Sequence, residues 1–380
     1  MQNFQFSWIT LGLTTSLLFS MTACQPQSAS PSASAEKNTT EQSTQEPIIK
    51  TPSKPASVSA SASAIDAKTC VALSDAMQKV NNESKIETIH AIQRTLKSCL
   101  PTASNAEVIA LLKSYQAMYR RFLASDLDSE ADYETFNSAI YELYYGEGLS
   151  SAQLKTLTPH DQYLVGLVKS DADISIYDEG EGYFSFTHNL KAMADIFTPY
   201  LREDQSAFIE RLATDNQEGF WSDASVTVTF DELIERALFW EDYSKRYPDG
   251  YAVSDAKSLL DFYRHIIFFG ADNTQWTDDA RREFIEPQDR QLMVKLARRP
   301  NSILAKDAQN FLNFLALSDS ERQEKYPTPL IDNDGYEINE WTAAYYQLDK
   351  AMQIPSIWDD SDTNDRQCLD GVFCQNTDND

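Results

Sequence analysis

Glycine is scarce in this chain: 11 of its 380 residues, about 3 % against a usual ~7 %. So low a supply argues against a turn-rich all-β architecture and favours helices. Basic residues are also short, 32 Lys and Arg against 58 Asp and Glu, a formal net charge of −26. A phosphate backbone needs clustered cations, so nucleic acid is excluded as a partner. Histidine is rarer still. His90, His160, His188 and His265 are scattered, with no HExxH among them. There is no GxSxG, no Walker A and no complete GxGxxG, since Gly180-x-Gly182 lacks the third glycine. What the chain has is apolar material, 42 % of residues, enough for a large packed core and too much for disorder.

The first 24 residues carry no charged side chain. Trp8 to Phe19 is mainly apolar, too short to span a bilayer, which takes ~20 residues, and suited to the h-region of a secretory signal. Met21-Thr22-Ala23-Cys24 follows. This stretch resembles the lipobox of bacterial lipoproteins: a bulky apolar residue at −3, small residues at −2 and −1, then Cys. The resemblance covers the leader alone and departs from the family pattern in lacking Lys or Arg before the apolar run. It implies a signal peptide over 1–23, acylation of Cys24 and anchoring by several acyl chains, which hold where one does not. Gln25 stands where Asp retains Gram-negative lipoproteins at the inner membrane, so the resemblance implies the outer membrane, on a face left open. From Cys24 to Asp66 the chain is rich in Ser, Ala, Thr, Pro and Gln. It cannot bury enough surface to fold and reads as a flexible tether.

Four further cysteines remain: Cys70, Cys99, Cys368 and Cys374. An even number outside the cytosol suggests disulfides. Cys70 shares a helical stripe with Leu73, Met77 and Val80, and Cys99 shares another with Ile86, Ile89 and Leu96. Two antiparallel helices turning at Asn81-Asn82 would bring this pair together, leaving Cys368 and Cys374 to close a small loop. Four free thiols are the alternative. No two cysteines show the CxxC spacing of a zinc site, so no metal and no cofactor is expected.

Residues 67–355 read as a mainly α domain, of one core or two helical subdomains meeting near 170–190. Capping boxes Ser84…Glu87, Ser104…Glu107 and Thr229…Glu232 open three helices. Stripes Val108, Leu111, Leu112, Tyr115, Met118, Phe122 and Tyr133, Phe136, Ile140, Leu143, Tyr144 follow the 3.6 period, and their aromatics count as core by default, an exposed subset forming a binding groove being the alternative. Further helices are expected from Thr158-Pro159, near 190–200 and 204–215, from Ser254 to Gly270, and near 278–298, 301–317 and 337–352. The exception is a β-hairpin over 174–186, Ile-Ser-Ile-Tyr and Tyr-Phe-Ser-Phe around a glycine-bearing turn. Residues 356–380 form an acidic tail of net −6. The tether holds −1, so the body carries −19.

The sharpest chemical candidate is Tyr177-Asp178-Glu179-Gly180-Glu181-Gly182-Tyr183. Crowded carboxylates repel, and one could serve as a general acid with its pKa raised. The glycines admit a ligand to the backbone, the aromatics suit a sugar ring, and His188 is close enough to join. The plainer reading is a solvated hairpin tip. Ser254-x-x-Lys257 has the spacing of penicillin-binding enzymes without their companion motifs. Asp360 to Gly371 begins like an EF-hand loop but lacks its Gly and Glu, and Asp332-Asn333-Asp334-Gly335 is a second acidic turn. His265 lies in an apolar run and reads as a packed core residue.

These features lead to an acidic envelope lipoprotein that binds, inhibits or assembles with another, basic, envelope protein, with the question of an enzymatic activity left open. The alternative is a glycan hydrolase acting through Asp178, Glu179 or Glu181.

Overall fold

The computed structural model describes residues 63–356, apart from 126, 128, 171, 172, 223, 332–334 and 336. Cys24, Cys368, Cys374 and the 360–371 loop lie outside the described residues. The fold is mainly α, with one small antiparallel hairpin.

Helix α1 (Ser63–Gln78) and α2 (Ile86–Cys99) fold back on each other, and α3 (Asn105–Leu123) packs on α1. Cys70 and Cys99 are joined by a disulfide, with Cα atoms 5.6 Å apart. Ser104 opens α3 with the full capping box: its hydroxyl accepts the Glu107 N–H, while Glu107 accepts the Ser104 N–H at 2.6 Å. The Ser84…Glu87 box does not form. Ser84 instead turns back to Asn81, both giving and accepting a hydrogen bond at 3.1 Å, and α2 starts two residues later. The first N–H of α2, at Ile86, donates to the hydroxyl of Tyr163, so a tertiary partner does the work of a local cap.

Next come α4 (Glu130–Tyr144), the single turn α5 (Ser151–Leu154) and α6 (Pro159–Val168). The hairpin follows, β1 (Ile174–Gly180) and β2 (Tyr183–His188). Ile174 pairs with His188 and Asp178 with Phe184, and a bulge at Glu179 lets Gly180 pair with Tyr183. An isolated two-stranded ribbon is marginal. This one is held by inserting Ile174, Phe184 and Phe186 into the core against α3, α4 and α6, each worth roughly 1.5–3 kcal/mol when fully buried.

The remainder is α7 (Leu190–Phe197), α8 (Glu203–Asp215), a two-residue ladder of β3 (Trp221–Ser222) with β4 (Ser225–Val226), α9 (Phe230–Arg246), α10 (Val253–Phe269), α11 (Pro287–Leu296), α12 (Ile303–Leu315), α13 (Asp319–Lys325) and α14 (Glu340–Met352). Thr229 caps α9. Helix α10 starts before Ser254, with Ala252 in the capping position, so Ser254 and Lys257 are ordinary residues of its first turns. The helix expected from 278 begins only at Pro287. Residues 277–284 form a loop closed by a Thr277–Phe284 bridge, and Pro at the first helical position sets the start. One contiguous set of buried side chains runs from Cys70 to Ile354. No described helix is long and apolar enough to cross a membrane.

Candidate functional site

The hairpin, the C-terminal half of α4 and the middle of α3 form the chemically richest part of the described chain. Along β2 the side chains alternate, so Phe184, Phe186 and His188 turn inward while Tyr183, Ser185 and Thr187 face outward. The Asn137 side chain accepts the Phe184 N–H at 2.9 Å and fastens α4 to the free edge of β2. Phe184 is ringed by Tyr141, Tyr144 and Tyr145, with centroids 5.8–6.3 Å away.

These tyrosines are not core. Tyr133, Tyr141, Tyr144, Tyr145 and Tyr183 are between 47 and 59 % exposed. Of the stripe expected to be buried on α4, Phe136 and Ile140 are inside, while Tyr133 and Tyr144 are outside. The two segments that carry them hold charge of one sign, with Arg120 of α3 lining the same cavity as Tyr133 and Tyr183. Residues 129–154 and 174–190 hold eight carboxylates and no Lys or Arg.

A cavity of about 690 Å³ lies on one side of the hairpin, between α3, α4 and β2, and a second of about 590 Å³ lies on the other, bordered by Tyr144, Tyr145, Asn216 and Trp221. The turn carboxylates are divided between them. Glu179 lines the first cavity and Asp178 the second. Both oxygens of Asp178 are taken: Oδ1 accepts the Gly180 N–H at 2.9 Å, and Oδ2 accepts the Tyr145 hydroxyl. That bond raises the Tyr145 pKa to about 12. Glu181 sits exposed at the apex with φ +53°, between two glycines that also have positive φ.

His188 lines both cavities and is 7 % exposed. Asn189 follows it and caps α7 by accepting the N–H groups of Lys191 and Ala192, which sets the end of β2. The imidazole stacks on Tyr119 with centroids 3.6 Å apart, and Tyr115 meets it edge-on. Burial pushes its pKa down to about 3, so it is neutral at pH 7. Its Nε2 has no hydrogen-bond partner among the described residues; nor has Nε2 of Gln116, one turn before Arg120 on α3 and 8 % exposed. Gln116 was not singled out from sequence. Its signal was a polar residue on the otherwise apolar line Leu112, Gln116, Tyr119, Leu123.

Elsewhere, His265 is buried and stacks on Phe269, as a core residue does. Among the described residues no group of three or more His, Cys, Asp or Glu could hold a metal ion. Comparison with known proteins finds no family model that matches the chain, no similar curated protein and no similar solved structure.

Proposed function

We propose that the chain is an envelope lipoprotein, held in the outer membrane by acyl chains on Cys24, whose acidic helical body binds a basic envelope protein and restrains or assembles with it. The observation that carries this reading is the surface on α4 and the hairpin: five exposed tyrosines among eight carboxylates, with no cation in those segments. Tyrosine gives a large contact area at low entropic cost, and its ring face attracts Arg and Lys. Carboxylates around it steer a cationic partner and fix its orientation. An anionic surface such as nucleic acid or acidic lipid would be repelled.

The hydrolase alternative has less support. A two-carboxylate mechanism needs both groups facing one substrate, whereas Asp178 and Glu179 line different cavities and Asp178 is bonded at both oxygens.

The test is capture from envelope extracts at low and high salt, using the wild type and a Tyr141→Ala/Tyr144→Ala/Tyr145→Ala variant. A basic protein recovered at low salt, released at high salt and missed by the variant is the expected result. Equal recovery by the variant sinks the proposed surface. The anchor is tested separately, by mass spectrometry of the N-terminal peptide. An unacylated Cys24 sinks that half of the proposal and leaves the surface standing.

A further inference from the structure

The cavity of about 590 Å³ beside the hairpin has one charged side chain in its lining, Asp178, and no Lys or Arg among the described residues there. Asp178 is half-buried and accepts from the Gly180 N–H and the Tyr145 hydroxyl, both neutral donors. Neither bond cancels its charge. An ionised carboxylate has about four acceptor positions, so about two remain for a further donor. Asp215 and Asp307, by contrast, each have an arginine at 2.8 Å.

The walls beside this carboxylate are aromatic. Tyr144 and Tyr145 are exposed, and their rings, with centroids 4.7 Å apart, stand at 83° and form a corner. Trp221 borders the cavity from β3, packed against Phe220 and Phe262. Ring faces and an uncompensated carboxylate both favour a cation and both disfavour an anion. The chain itself shows how such a set is filled: Arg211 pairs with Asp215 and Glu235 and lies 4.7 Å over the Phe239 ring. A guanidinium suits the set better than an ammonium, because its plane stacks on a ring while its fork of N–H groups meets the carboxylate.

Tyr144 and Tyr145 belong both to this cavity and to the acidic surface assigned above to a basic partner. A segment docked on that surface therefore passes over the mouth, and arginines seated in such pockets are common anchors of interfaces. We propose that this cavity is the pocket in which the partner protein seats an arginine side chain, its guanidinium on Asp178 and against the rings of Tyr144, Tyr145 and Trp221. The inference rests on the reading of that surface as protein-binding, and it names the anchoring group.

The experiment titrates the whole chain at low salt with three blocked tripeptides, Gly-Arg-Gly, Gly-Lys-Gly and Gly-citrulline-Gly, and with choline, read by saturation-transfer NMR. The arginine peptide should bind, the lysine peptide more weakly, and the uncharged citrulline peptide about tenfold more weakly or less still. Asp178→Asn, which removes the charge and keeps the shape, should weaken the arginine peptide about tenfold, the loss of one charge-assisted hydrogen bond. Trp221→Leu should weaken it about threefold. Glu324→Gln, an equal loss of charge on α13, should leave it unchanged. Near-UV circular dichroism checks folding, and if either cavity variant is not folded the other decides. The proposal is overturned if the arginine peptide does not bind, if the folded cavity variants bind it like the wild type, if the lysine or citrulline peptide binds as tightly, or if choline binds more tightly, which marks a small-molecule site. Capture from envelope extracts judges the surface separately. A basic protein held equally by wild type and Asp178→Asn, and missed by the tyrosine triple variant, removes the pocket and leaves the surface. No salt-sensitive capture by the wild type removes the surface itself.

Discussion

Arg236 in α9 and His188 at the end of β2 are both polar side chains taken out of water, and the chain treats them in opposite ways. Arg236 is 2 % exposed, yet its guanidinium donates to the carbonyls of Asp215 and Glu218 at 3.1 and 3.0 Å and to Glu232 at 2.9 Å. Arg322 repeats the device, donating to the carbonyls of Ala280 and Arg281 at 2.7 and 2.6 Å, and Arg264 pairs with Asp307 at 2.8 Å. In the helices from α9 onward, then, buried cations tie loops and helix ends together. Around the hairpin, Nε2 of His188 has no hydrogen-bond partner among the described residues, and Tyr133, Tyr141, Tyr144, Tyr145 and Tyr183 stand outside. One region uses its polar groups for holding the fold. The other sets exposed tyrosines among carboxylates, which is what recognition of a cationic partner requires.

Substitution should separate the two regions most sharply at Arg236. Arg236→Ala leaves Glu232 and two carbonyls without their donor and should lower unfolding free energy by about 3–5 kcal/mol, read as a fall in the denaturant midpoint. If the loss is below about 1 kcal/mol, the holding role assigned to the buried arginines is wrong. The disulfide comes next. Cys99→Ser opens a bridge between residues 29 apart in sequence, for which chain entropy predicts a loss of about 3–4 kcal/mol. The same variant under reducing conditions should show no further change.

His188 gives the third test, through pH. Its folded pKa, about 3, lies below the ordinary 6.5 because burial disfavours the cation. The folded state therefore binds fewer protons than the unfolded one. Stability from this group is complete above about pH 6.5 and is lost progressively as pH falls toward 3. At pH 4.5 the wild type should have lost roughly 2–3 kcal/mol by this route, and a folded His188→Phe should show a correspondingly flatter decline. Parallel pH curves for the two proteins would remove His188 from the account. The smallest effect is expected at the exposed tyrosines: Tyr141→Ala and Tyr144→Ala should each change stability by no more than ~0.5 kcal/mol. A much larger loss in either would mean that these rings hold the hairpin, not a partner.

Much of the scaffold is legible in the sequence because its signals are local. The capping box at Ser104, the cap at Thr229 and the 3.6-period stripes of α3 and α9 need only neighbours within a turn. Where a distant group competes, local reading fails. Tyr163 supplies the bond to the start of α2 that Ser84 was expected to provide, and the loop at 277–284 is closed by a bridge that no periodicity reveals. The short helices α5 and α13, of four and seven residues, are too short for a periodic signal. The candidate site was half visible. Turn chemistry marked Asp178, Glu179, Glu181 and the hairpin, and His188 was placed near them. Tyr133 and Tyr144 were assigned to the core because a stripe tells which face of a helix is apolar and not what covers it.

Composition and spacing alone determined a helical, acidic domain with one glycine-turned hairpin, because helix periodicity, caps and turn residues act over a few positions. Only tertiary packing decided that Asp178 and Glu179 look into different cavities, that the α4 tyrosines meet solvent, and that Gln116 and His188, 72 positions apart in sequence, border one cavity. Those outcomes depend on which elements bury one another, and burial is a property of surfaces brought together from distant parts of the chain.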